Sequence, residues 1–203
     1  TVDAFAEDAT ALMSSAASGR DLAVEAGRAL APTELLRAWR DDRAVLLGLA
    51  RRSDPSARIP WYGPAMAARS FITARLMETW AHGQDVRDAL GLEPEVSMRL
   101  RHVAHIGVRA RPFAYANNRR QLPDGEVRVE LVAPNGDLWT WGESSTDTVR
   151  GSALDFCLLV TQRRHVLDTA LEVVGPLAED WISIAQAFAG PPGPGRSPGQ
   201  FRR

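Results

Sequence analysis

The sequence predicts an α+β protein in which an antiparallel helical bundle precedes a small α+β module. Three observations predict it. Apolar residues recur at spacings of three and four through most of the first 111 positions, the period of helices that bury one face. After Pro112 the pattern changes, and Glu126-Val-Arg-Val-Glu-Leu-Val132 alternates with period two, as a half-buried strand does. Pro134-Asn-Gly-Asp137 then supplies hairpin-turn chemistry before a returning run, Leu138-Trp-Thr-Trp141.

Taken in order, Val2, Phe5, Ala6, Ala9 and Leu12 or Met13 read as the tail of an amphipathic helix, ended by the small-residue run Ser14 to Gly19. Residues 21–30 read equally as a short helix or a loop. Pro32 suits a first turn, and Leu35, Leu36, Trp39, Val45, Leu46 and Leu49 continue that helix to about Arg51. Gly63-Pro64 caps the longest predicted helix, which ends near Leu90 before Gly91. Glu93-Pro-Glu95 opens another, running to about Arg111. Residues 113–123 read as loop, 146–150 as a third strand, 153–164 as a buried helix, 171–174 as a short strand and 177–188 as a last helix. The expected domains are therefore 1–116, a helical bundle lacking its N-terminal part; 117–190, a small α+β domain; and 191–203, a Pro/Gly-rich tail that is disordered or laid along the surface.

Composition bounds the function. The 203 residues are 45% hydrophobic and 24% charged, the balance of a soluble globular chain. A net charge of -1 sets up no field toward nucleic acid or an anionic membrane, and no run of 18 apolar residues suggests a span. Cys157 is the single cysteine, so an intrachain disulfide and Cys-rich zinc modules are excluded and a cytoplasmic location is expected. The chain opens on Thr1 directly into a helical pattern, which predicts a preceding N-terminal piece. Expected partners are a small-molecule substrate and a second copy in a homodimer, with no nucleic acid and no membrane.

The chemistry concentrates in the longest helix. Arg75, Glu78, His82 and Asp85 fall at i, i+3, i+7 and i+10, one seam of a helix. Such a seam either faces water or ion pairs, or carries a metal or acid/base site. Glu78 and His82, four apart, can bring a carboxylate and an imidazole to one metal ion, though pairs so spaced are common on solvated helices. Arg75 and Asp85 extend the seam as supports that would orient such ligands. Gly83 costs that helix roughly 1 kcal/mol relative to Ala, so a close approach beside His82 is expected. A catalytic metal needs a third protein ligand, which His102 and His105 on the next helix or a segment upstream of Thr1 could supply. Otherwise one of those histidines is a satisfied core residue and the other is exposed. Arg163 and Arg164 end a buried helix, where they either cap its last carbonyls or clamp an anionic group. Trp139 and Trp141, on one strand face, read as packing residues, and Cys157 as an inert buried thiol.

The segment RLMETWAHGQDVRDALG at 75–91, after the PWYGP lead-in, resembles the third bundle helix of the DinB-like metalloenzymes, and most closely the branch containing mycothiol-dependent maleylpyruvate isomerase. GSALD at 151–155, with Leu158, Leu159 and Arg163, resembles the end of the sterol-carrier-like C-terminal domain of that branch. RHVAHIGVRARPFAYANN and AQAFAGPPGPGR resemble an uncharacterised actinobacterial metal-binding subgroup. The resemblance implies a divalent metal, zinc, with Glu78 and His82 as ligands and a further His upstream of the position of Thr1. It implies a low-molecular-weight thiol, mycothiol, as cosubstrate, and Arg163 as the catalytic arginine of the C-terminal domain that helps hold an anionic substrate, although Gln162 stands where the family pattern has Gly. Three functions follow as expectations: a thiol-dependent isomerase or S-transferase, a thiol-independent metal-dependent hydrolase, or a non-catalytic small-molecule-binding or regulatory module.

Overall fold

The computed structural model describes residues 22–59 and 65–201. The expected Val2 to Met13 helix and the Gly63-Pro64 cap lie outside the described residues. Helix and sheet are mixed, as expected of an α+β chain, and the chain divides into two compact units, Thr1–Ile72 and Thr73–Arg203.

In the first unit, α1 (Leu22–Arg28) settles the ambiguity of its segment as a helix. Helix α2 (Pro32–Arg52) begins where Pro32 was expected to start it, and Glu34 reaches back to accept the Ala31 N–H at 3.1 Å. Ser53 closes it, donating its N–H to the Leu49 carbonyl. Asp54 then accepts the Ser56 N–H at 2.8 Å in an Asx turn. Two short strands that the sequence pattern did not announce, β1 (Arg58–Ile59) and β2 (Met66–Ala67), pair antiparallel. Helix α3 (Ala68–Ala89) follows, starting four residues after Pro64.

In the second unit, α3 ends before Gly91, whose φ of 64° is the left-handed turn glycine adopts without strain. The helix expected from Glu93 instead starts at Leu100, as α4 (Leu100–Arg109). Side chains of α3 account for the difference. Trp80 Nε1 donates to the Glu95 carbonyl at 3.1 Å and Arg87 to the Glu93 carbonyl at 2.8 Å, so those carbonyls are satisfied without helix. Pro112 does not end the helical region either. It stands in the first turn of α5 (Arg111–Asn117), where its missing N–H costs nothing, so part of the expected loop is helical.

Strands β3 (Arg128–Val132) and β4 (Leu138–Trp141) form the expected hairpin, in register Val129↔Trp141. Strand β5 (Thr148–Ser152) lies parallel to β3, and β6 (Glu172–Val174) antiparallel to β5, giving the order β4-β3-β5-β6. The six residues from β4 to β5 cross the start of β3. Gly142, at φ 72°, makes the crossing possible, because a Cβ there would sit 2.5 Å from the Val127 carbonyl oxygen. Val129, Leu131, Trp139 and Val149 are buried with Phe156 and Cys157 of α6 (Ala153–Val160) and with Trp181 of α7 (Pro176–Ile182). Phe156 and Trp181 meet edge-on, centroids 6.1 Å apart. Helix α4 packs on α6 at Gly107, where a Cβ would lie 2.7 Å from Val160 Cγ2. The tail beyond α7 runs without regular structure as far as residue 201.

Candidate functional site

Helix α3 buries Met77, Trp80, Ala81 and Gln84, a stripe at i, i+3, i+4 and i+7. The ionisable seam is the neighbouring stripe, so it borders solvent instead of filling the core. The side chains of Glu78, His82 and Asp85 are 23%, 70% and 34% exposed. One helical turn brings Glu78 Oε2 to 3.5 Å from His82 Nε2, and Asp85 Oδ2 to 3.3 Å from His82 Nδ1. Each ring nitrogen thus faces one carboxylate. At Gly83, a Cβ would meet nothing within 4 Å among the described residues. Its position is exposed.

The end of α6 supplies the opposing charges. Thr161 is its cap, and Gln162 takes φ 60°. The Gln162 N–H then bonds the Leu159 carbonyl and the Arg163 N–H the Leu158 carbonyl, both at 2.8 Å, a Schellman reversal with glutamine where glycine is usual. The reversal aims Arg163 and Arg164 at the last turns of α3. Arg163 donates through Nε and Nη2 to Asp85 at 3.1 and 2.7 Å. Arg164 donates to Asp88 at 2.9 and 2.8 Å. Both also donate to a local carbonyl, Arg163 to Thr161 and Arg164 to Arg163. These arginines therefore bond carbonyls at the helix end, and the carboxylates they hold are the chain's own.

Arg196 of the tail adds a bond to Asp85 at 3.0 Å, and Phe201 lies under Arg164 and Arg196 at 4.9 and 4.8 Å. Burial pushes the Asp85 carboxyl up, but the Arg163 hydrogen bonds and the charges of Arg163 and Arg196 outweigh it and hold the group below its ordinary range. Beside this cluster lies an open recess of about 270 Å³ lined by Asp85, Gln162, Arg163, Phe188, Gly195 and Arg196.

The structure thus brings together Glu78, His82, Asp85 and Arg163. It does not bring His102 and His105 to them: both are exposed on α4, and His105 Nδ1 accepts the Trp141 indole N–H at 3.2 Å. Burial first, then the charges of Arg109, His102 and Arg101, lowers the His105 pKa, in keeping with a neutral ring at that bond. Arg75 accepts the Thr79 hydroxyl at its carbonyl and makes no side-chain bond to the seam among the described residues. No group of three or more His, Cys, Asp or Glu residues able to hold a metal occurs among the described residues.

Comparison with known proteins adds the family. Residues 1–87, which include Glu78, His82 and Asp85, match the mycothiol maleylpyruvate isomerase N-terminal domain. The chain belongs to this family. It is also similar to two uncharacterized proteins of Mycobacterium tuberculosis, one from strain CDC 1551 / Oshkosh and one from strain ATCC 25618 / H37Rv. Each is 47% identical over 193 residues, which span 95% of this chain and 75% of the relative. No solved structure matches. Among the described residues of this family member, no helix is long and apolar enough to cross a membrane. Four residues of its clamp escaped the sequence reading: Gln84, Asp88, Arg164 as a partner of α3, and Arg196. An Asp pair three apart facing an adjacent Arg pair was the available signal for Asp88 and Arg164. Arg196, in a Pro/Gly-rich tail, had none.

Proposed function

We propose that this family member binds a divalent metal, zinc, with Glu78 and His82 as two of its ligands. In this reading it works as a mycothiol-type, thiol-dependent isomerase or S-transferase on a small anionic electrophile. The reading takes the helical part as a DinB-like bundle and the sheet part as a sterol-carrier-like module. The observation that carries it is the line of Glu78, His82 and Asp85. Two donors 3.5 Å apart fit neighbouring corners of a tetrahedral sphere, whose edge is about 3.4 Å for bonds of about 2.1 Å. The carboxylate behind Nδ1 is the orienting partner that metal-bound histidines use. The remaining ligand belongs, in this reading, to a segment outside the described residues.

When bound, the ion supplies the Lewis acidity that makes a coordinated thiol a nucleophile near neutral pH. The residues do the rest. Asp85 accepts a hydrogen bond from the His82 Nδ1–H, which leaves Nε2 as the lone-pair nitrogen beside Glu78. Arg163 and Arg196 keep Asp85 ionised and leave the recess with an excess positive charge that draws an anionic substrate.

Metal analysis after dialysis tests the reading. Zinc bound by the natural full-length protein should fall by more than half in His82→Ala and in Glu78→Gln, and mycothiol-dependent turnover of maleylpyruvate should fall with it. Unchanged zinc in His82→Ala would sink the proposal. Turnover in thiol-free buffer would favour a hydrolase, and an intact protein with neither metal nor turnover a binding module.

A further inference from the structure

A second cavity, independent of the reading above, lies in the second unit where the end of α4 and the start of α5 meet the β3-β4 hairpin and α7. Its volume is about 410 Å³, within the roughly 300–1,000 Å³ of small-molecule sites. Pro112 and Val127 give it apolar walls, and the indoles of Trp141 and Trp181 line it. Three charged residues also line it: Arg109, Arg111 and Glu126.

The polar atoms there are unevenly satisfied. Arg111 Nη1 donates to the Gly125 carbonyl at 2.8 Å. Its Nε and Nη2, the side-on fork of the guanidinium, are buried without a hydrogen-bond partner among the described residues, and so is Trp181 Nε1. Trp181 lines the cavity and is 1% exposed. Asp147 and Asp180 both feel the Arg111 charge, but their hydrogen bonds come from other groups. Asp147 accepts the Thr146 hydroxyl and the Leu177 N–H, Asp180 accepts from Tyr115 and Arg120, and Glu126 accepts the Glu143 N–H at 3.1 Å. Among the described residues, three buried donors on residues that line one cavity therefore lack an acceptor, and two of them form the fork that matches a carboxylate. Trp141 has given its indole N–H to His105, so it offers the cavity ring surface and no competing donor.

We infer that this cavity binds a small planar carboxylate. The carboxylate takes the Arg111 Nε and Nη2 fork with Trp181 Nε1 as third donor, and the apolar body packs on the indoles. Arg109, exposed at the cavity, adds a second positive charge that offsets Glu126.

Benzoate is the probe, read on the tryptophan indole N–H signals in a nitrogen-correlated NMR titration. The expected result is a saturable shift at Trp181 and Trp141, with benzyl alcohol at least about tenfold weaker because it cannot occupy a cationic fork. Arg111→Lys keeps the charge but removes the fork, and should weaken benzoate about tenfold. The benzyl alcohol comparison needs no variant, so it decides the matter even if Arg111→Lys folds poorly. The inference is overturned by equal binding of benzyl alcohol, by undiminished benzoate binding in a folded Arg111→Lys protein, by a saturable shift confined to Trp80 on α3, or by none up to about 10 mM.

Discussion

Asp88→Ala removes one partner of the most enclosed ion pair at the site. The Asp88 and Arg164 side chains are 4% and 10% exposed. Both Arg164 nitrogens donate to the carboxylate at 2.9 and 2.8 Å, and Gln84 Nε2 adds a third bond at 2.7 Å. Breaking a buried pair from one side costs about 3–5 kcal/mol, because the other charge is left in a poor solvent. Arg164 keeps its bond to the Arg163 carbonyl at 2.7 Å and its contact with the Phe201 ring, which places the expected loss near 3 kcal/mol. For a chain of this size that is a fall in Tm of about 6–12 °C. Urea unfolding of Asp88→Ala, Arg164→Met and the double variant measures it. The double variant should recover about 2 kcal/mol relative to the sum of the singles, since it buries no lone charge.

The pH dependence has a definite sign. Burial pushes the Asp88 carboxyl up, but hydrogen bonds from Arg164 and Gln84 and the Arg164 charge win, so its folded pKa lies below its unfolded one. The stabilisation is therefore complete above the unfolded value of about 3.9 and is lost as pH falls through the folded value. The gap between the natural protein and Asp88→Ala should stay constant above about pH 5 and narrow below about pH 4. A single-variant loss under about 1 kcal/mol, strict additivity in the double variant, or a gap that widens in acid would refute the reasoning.

Gly107→Ala should destabilise by about 1–3 kcal/mol, because its methyl meets Val160 Cγ2 at 2.7 Å in a filled core; Val160→Ala in the same chain should recover part of the loss, as thermal unfolding would show. Gln162→Gly should raise stability by up to about 1 kcal/mol. It relieves φ 60° and gives up a long bond to the Ala185 carbonyl at 3.4 Å and side-chain packing beside Gly195; a loss measured in urea would count against the strain argument.

The hairpin was legible because its signals are local: period-two alternation, and a turn that brings Val132 opposite Leu138. Helix α2 was legible from Pro32 and its apolar period, and the end of α3 from Gly91. Where reading failed, a distant partner had outbid local preference. The carbonyls of Glu93 and Glu95 are satisfied by Arg87 and Trp80, so acidic residues after a turn signalled a helix that does not form there. The pattern changes after Pro112, yet that proline serves as a first-turn residue of α5, so part of the 113–123 stretch is helical.

The same division runs through the site. That Glu78, His82 and Asp85 share one helical stripe is a property of 3.6 residues per turn, and their order in the sequence determined it. Which side of α3 is buried, and that the seam borders solvent, depended on what packs against Met77, Trp80 and Ala81. The clamp was out of reach for a similar reason. Arg163 and Asp85 are 78 residues apart, and Arg164 and Asp88 are 76 apart. They meet because a left-handed residue at Gln162 reverses the chain at the end of α6, beside the last turns of α3. Periodicity and turn chemistry act over a few residues and can be read along the chain, whereas a charge pair closed across such a loop exists only once the core has brought its two ends together.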